Sequence, residues 1–156
     1  MSESSVSAIP TKILVPIDFS GSSHGAMDMA TELAEKFHAE LMLLHVLPEN
    51  TTNGARAAAE KNFALSQSNM DAKGIKCTTK IAEDWDVAGN ILECAEEEKA
   101  DLVVLSTHGA SGWYPVVFGS VAEKVVKLIH TPLMLLRTEK PESSVVIPHG
   151  RLMEWW

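Results

Sequence analysis

Short apolar runs alternate with amphipathic helical stripes along most of this chain, and that alternation leaves few folds open. Residues 12–17 (KILVPI), 40–46 (ELMLLHV), 102–105 (LVVL) and 132–136 (PLMLL) are the runs. Runs this short and this apolar read as strands buried on both faces. Residues 75–82 instead alternate Ile75, Cys77, Thr79 and Ile81 with Lys76, Thr78 and Lys80, the pattern of a half-exposed strand at a sheet edge. Between the runs lie helical patterns. Ala26, Met29, Ala30, Leu33 and Phe37 make one stripe; an Ala-rich stretch covers 55–73, closed by Gly74. Asp86 caps a third helix carrying Ala88, Ile91, Leu92 and Ala95, and Val121, Val125, Leu128 and Ile129 mark a fourth from Ser120 to His130.

The order is β-α-β-α-β-α-β-α-β with short connections. It predicts a single doubly wound, Rossmann-like three-layer α/β domain with a parallel sheet and right-handed crossovers. The chain of 156 residues is long enough for one such core. We expect the domain over 12–137, a Ser-rich disordered segment over 1–11 and a tail over 138–156 that ends in Trp155 and Trp156.

Charge and cysteine content narrow the function. A net charge of −8 disfavours binding to a nucleic-acid backbone. Cys77 and Cys94 form no CxxC pair and no zinc spacing, and read as buried thiols of a reducing compartment. The N-terminus lacks the basic and apolar regions of a secretory signal, and no apolar run nears the length of a membrane helix. The expected location is cytoplasmic, with neither membrane nor nucleic acid as partner.

In an open α/β sheet, ligands bind beyond the carboxyl ends of the strands, where the strand order reverses. Two polar segments sit at such ends. One is Pro16-Ile17-Asp18-Phe19-Ser20 after the first strand; the other runs from Ser106 to Ser120 between the fourth strand and the last helix. An order of 3-2-1-4-5 brings the two face to face, whereas 2-1-3-4-5 does not, and periodicity alone selects neither. The second segment is a glycine-bearing loop entering a helix, where backbone N–H groups can hold an anion. It is neither GxxxxGK[ST] nor GxGxxG.

The residues of these segments resemble the universal stress protein family over about 11–137. The resemblance rests on KILVPIDFS at 12–20, LLHV at 43–46, ADLVVL at 100–105, THG at 107–109 and FGSVAEKV at 118–125. The nucleotide-binding branch of that family carries G-x2-G-x9-G-[ST]; here the pattern reads Ser106-x2-Gly109-x9-Gly119-Ser120. The resemblance implies a five-stranded parallel sheet of order 3-2-1-4-5 and an adenine nucleotide, ATP or else ADP or AMP, with Mg²⁺ as an accompanying ion. By the same resemblance Asp18 and the backbone of Val46 meet adenine or its ribose, and Ser106 lies against the ribose. Gly109 and Gly119 admit the phosphates, and Ser120 and Val121 donate to them. Pro16, Ile17, Ser20 and His108 complete the expected site. It also implies a homodimer through Pro132 to Leu136, with the tail able to wrap that interface and a regulatory protein as a further partner.

Two departures bear on the ligand. Ser106 replaces the first glycine, and the stretch 110–118 contains no cation, so phosphate charge falls to backbone N–H groups, to Lys124 if it folds back, or to Mg²⁺. The resulting expectation is a stress-response regulator that binds nucleotide rather than an enzyme. Its rivals are a slow ATP hydrolase or phosphotransferase using His108 or Asp18, and a dimeric interaction module without nucleotide.

Overall fold

The computed structural model describes residues 9–19, 21–107 and 120–136. The elements run β1 (Lys12–Pro16), α1 (Gly21–Phe37), β2 (Glu40–Leu47), α2 (Asn53–Ala72), β3 (Cys77–Glu83), α3 (Val87–Glu97), β4 (Leu102–Ser106), α4 (Ser120–Leu128) and β5 (Leu133–Leu136). All strands pair in parallel, in the order β3-β2-β1-β4-β5. The order reverses between β1 and β4, which is the place where such sheets hold ligands.

Strand alternation divides the core into two layers. Ile13, Val15, Leu41, Leu43 and Val104 meet α1 and α2 through Ala26, Ala30, Ala34, Phe63 and Met70. Leu14, Met42, Leu44, Val103 and Leu105 meet α3 and α4 through Ala88, Ile91, Cys94, Ala95, Ala122 and Val125. Successive residues of one strand therefore feed opposite layers, which is why the strands read as unbroken apolar runs. Cys77 and Cys94 are buried free thiols, and burial pushes the Cys77 thiol up to about 11.

Two helical stripes differ from expectation. On α1, Met29 and Phe37 are 37% and 41% exposed, while Ala26, Ala30 and Ala34 are fully covered. The face that meets the sheet is the one made of alanines, because small side chains let the helix lie close on β1 and β4. On α4, Leu128 is 53% exposed and Ala122 and Val125 are buried in its place. Boundaries shift by a few residues. Thr52 starts α2 ahead of the expected Ala55 because its hydroxyl accepts the Ala55 N–H at 3.2 Å. Gly74 closes that helix as expected, at φ 74°.

At the amino end of the sheet, Asp101 joins β1 to β4. Its carboxylate accepts the Thr11 N–H at 2.8 Å, the Thr11 hydroxyl at 2.6 Å and the Lys12 N–H at 3.0 Å. Its own N–H donates to Lys12 O at 3.0 Å. At the carboxyl end the same two strands part. Paired register between them stops at Leu14↔Val103, although β1 runs to Pro16 and β4 to Ser106. The Ile17 N–H donates to Leu44 O of β2 at 2.7 Å, so odd-numbered residues of β1 face β2 and even-numbered ones face β4. Pro16 thus lacks its N–H on the β4 side, where the next ladder bond would form.

Candidate functional site

The parted ends of β1 and β4 open into a crevice of about 330 Å³. Pro16, Ile17 and Asp18 line it from β1 and the turn beyond, Val46 from β2, Ser106 from β4, and Ser120 and Val121 from the first turn of α4. These expected residues, distant in sequence, share one cavity. Asp18 and Ser120 are exposed, and Val46, Ser106 and Val121 are half-buried. Ser20, His108, Gly109 and Gly119 lie outside the described residues, as do Trp113, Tyr114 and the tail. Ser120 is the first residue of α4.

Several lining residues were not foreseen. Leu44, His45, Val87, Ile91, Leu105, Thr107 and Ala122 also border the crevice. Val87 and Ile91 on α3 recur four residues apart and face the cavity together. The helical stripe could have shown that they were apolar, but only the packing of α3 on the sheet shows where they point. Thr107 is buried and fixes the end of β4 to β5: its N–H and hydroxyl reach Leu136 O at 2.9 Å and 3.2 Å.

His45 sits in β2 as a half-buried, satisfied histidine. Its Nδ1 lies 2.6 Å from Ile17 O. A carbonyl only accepts, so Nδ1 carries a proton and donates to it. The ring packs on Phe19 at 4.6 Å between centroids, and Phe19 packs on Phe63 of α2 at 5.4 Å. Phe19 has φ 62°, a left-handed backbone that bulky residues rarely adopt. The two rings thus hold a strained turn directly after Asp18.

Among the described residues, no Lys or Arg lines the crevice, and the nearby cation lies outside its lining. Lys124 of α4 is bound by Asp86, with Nζ 2.9 Å from each carboxylate oxygen. Asp86 also caps α3 by accepting the Gly89 N–H at 2.9 Å. A Cβ at Gly89 would fall on that carboxylate, so a larger residue there would displace the Asp86 side chain from its present position. The Lys124 ammonium first, and then the Gly89 N–H, hold the Asp86 carboxyl below the usual aspartate range. Among the described residues, no cluster of three or more His, Cys, Asp or Glu side chains could hold a metal ion. No helix there is long and apolar enough to cross a membrane.

A larger hollow of about 1010 Å³ lies at the amino ends of the strands, bordered by Lys12, Glu40, Lys76 and Glu98. Its charges satisfy one another: Lys12 bridges Glu40 and Glu98 at 3.4 and 3.2 Å, and Lys76 meets Glu40 at 3.0 Å. It is an ion-paired surface at the wrong end of the sheet for a ligand.

The universal stress protein family model matches residues 10–137. This chain belongs to the universal stress protein family. A universal stress protein of Methanocaldococcus jannaschii is 33% identical over 145 residues, covering 84% of each chain. Among solved structures, MJ0577 of the same archaeon superposes with a TM-score of 0.78 at 23% identity, covering 85% of this chain and 99% of that one. The universal stress protein of Archaeoglobus fulgidus in complex with dAMP superposes with a TM-score of 0.65 at 21% identity, over 81% of this chain and 98% of that one. As a universal stress protein the chain has the sheet order, the switch point and the carboxyl-end crevice expected from its sequence motifs.

Proposed function

We propose that this universal stress protein binds an adenine nucleotide, ATP, ADP or AMP, in the crevice between β1 and β4. It then acts as a cytoplasmic regulator of the stress response, by binding rather than by turnover. The carrying observation is that Asp18, Val46, Ser106, Ser120 and Val121 border one cavity at the switch point. A relative solved with dAMP supports the ligand class. A volume of about 330 Å³ is at the small end of ligand pockets and suits a nucleoside with its phosphates projecting outward.

The residues present fit that group. Val46, Val87, Ile91 and Leu105 offer apolar walls for a base. Asp18 offers a carboxylate for an exocyclic amine or a ribose hydroxyl. The Ser106 and Ser120 hydroxyls and the N–H groups at the start of α4 suit ribose and phosphate. Mg²⁺ would arrive on the phosphates, since such ions use few protein ligands. The protein works as a homodimer whose copies meet at β5, the outer strand of the sheet; β5 is only half-buried, and Val126 and Leu128 of the neighbouring helix are exposed.

Titration calorimetry of the full chain with ATP, ADP and AMP, with GTP as control, tests the ligand. Mass analysis of the heat-denatured protein adds any nucleotide retained through purification. Adenine nucleotides are expected to bind at least tenfold more tightly than GTP. Absence of binding by all three adenine nucleotides would overturn the proposal.

A further inference from the structure

Lys124 stands one helical turn behind Ser120 on α4, and residues four apart share a helix face. Helical side chains lean toward the amino end, so the Lys124 stem runs back along the turn whose Ser120, Val121 and Ala122 line the crevice. There its ammonium meets Asp86 at 2.9 Å from both oxygens. Asp86 caps α3, whose Val87 and Ile91 form the facing wall. One ion pair therefore ties together the two helices that flank the crevice, at the end where a phosphate chain would emerge.

The described lining of the crevice contains no Lys or Arg, and the loop stretch 110–118 has none in sequence. Lys124 is the cation that α4 supplies nearest its start, and Asp86 holds it. We propose that Asp86 is a specificity-determining residue that, by engaging Lys124 and placing a carboxylate beside the phosphate end, favours nucleotides with fewer phosphates over the triphosphate. A terminal phosphate must draw Lys124 from Asp86 and approach that carboxylate. A monophosphate held at the start of α4 need do neither. The pair is 46% and 52% exposed, so it is weak enough for a multiply charged phosphate to compete with it. This inference rests on the adenine-nucleotide reading above.

The test is calorimetry of AMP and ATP in EDTA on three variants of the full chain. Asp86→Asn retains the helix cap, because asparagine caps as well as aspartate, and removes the charge. It should tighten ATP about fivefold and shift AMP less than about twofold, the scale of an exposed ion pair. Lys124→Met leaves Asp86 bare and should weaken ATP several-fold with AMP unchanged. The double variant should lose the gain of Asp86→Asn. Equal shifts of AMP and ATP in Asp86→Asn, or an unaltered ATP affinity in Lys124→Met, would overturn the inference while leaving nucleotide binding intact. Loss of AMP and ATP binding already in the unsubstituted protein would instead overturn the nucleotide reading and this inference with it.

Discussion

Phe19 shows how a single residue can store strain for a site. Left-handed backbone costs an ordinary residue about 1–2 kcal/mol, and Phe19 adopts it at φ 62° beside Asp18. The cost is met by ring contacts to His45 and Phe63 and by the His45 Nδ1–H bond to Ile17 O at 2.6 Å. His45→Ala removes one ring and leaves the Ile17 carbonyl without its donor. We expect it to weaken adenine-nucleotide binding about tenfold and to lower stability by about 1–3 kcal/mol. His45→Asn, which keeps a donor near the same place, should recover part of the affinity. Calorimetry beside thermal melts checks both, and full affinity in His45→Ala would show that the turn needs no such support. The sequence places His45 in the apolar run 40–46 of a buried strand. Its partner was not legible, because the bond needs the register of β2 against the chain beyond Pro16. Asp18 and Ser120 could be singled out because strand ends and helix starts are themselves sequence signals. Val87 and Ile91 carry no such signal, since nothing local distinguishes a helix face that meets a cavity from one that meets a core.

At the scale of elements, the sheet is stitched at one end and unstitched at the other. Pro16 withholds an N–H from the β4 side, and Asp101 supplies acceptors to Thr11 and Lys12 at the opposite end. Burial pushes the Asp101 carboxyl up, but hydrogen bonds from Thr11 and from the Lys12 N–H outweigh it and leave the group below the usual aspartate range. A depressed folded value means the native state binds this proton less readily than the unfolded chain. The staple's contribution is therefore complete above the unfolded aspartate value of about 4 and is lost as pH falls through the lower folded value. Asp101→Asn should be less stable than the parent at pH 7 by about 1–2 kcal/mol, with the gap closing toward pH 3. Urea melts across that range check it; a gap independent of pH would show that the carboxylate's charge contributes nothing. Strand identity was legible because buried runs are continuous. The α1 face was misread because Met29 and Phe37 are the larger apolar residues, whereas close approach to the sheet selects Ala26, Ala30 and Ala34.

For the whole molecule, sheet order fixes which edges remain open. Periodicity left 3-2-1-4-5 and 2-1-3-4-5 equally available; the motifs shared with the universal stress protein family favoured the first, and the sheet has it. β5 is then an outer strand. The Val103 and Thr107 N–H groups donate to Pro132 O and Leu136 O, so even-numbered residues face β4 and Leu133 and Leu135 turn their backbone outward. Among the described residues no strand pairs with that edge, and such an edge is a template for another chain. If a second copy covers it, the full chain sediments as a dimer and Leu135→Pro as a monomer. The substitution deletes an outward N–H without touching the ladder to β4, and a preceding residue already extended tolerates proline. Unchanged circular dichroism would separate this outcome from unfolding, and a dimer that survives Leu135→Pro would move the interface elsewhere. Charge supplies an independent check. Each copy carries a net −8, so two copies repel, and that repulsion is screened over about 10 Å at 0.1 M salt. An interface built on backbone pairing and apolar contacts should therefore strengthen from low salt to 0.3 M, whereas one built on ion pairs between copies should weaken.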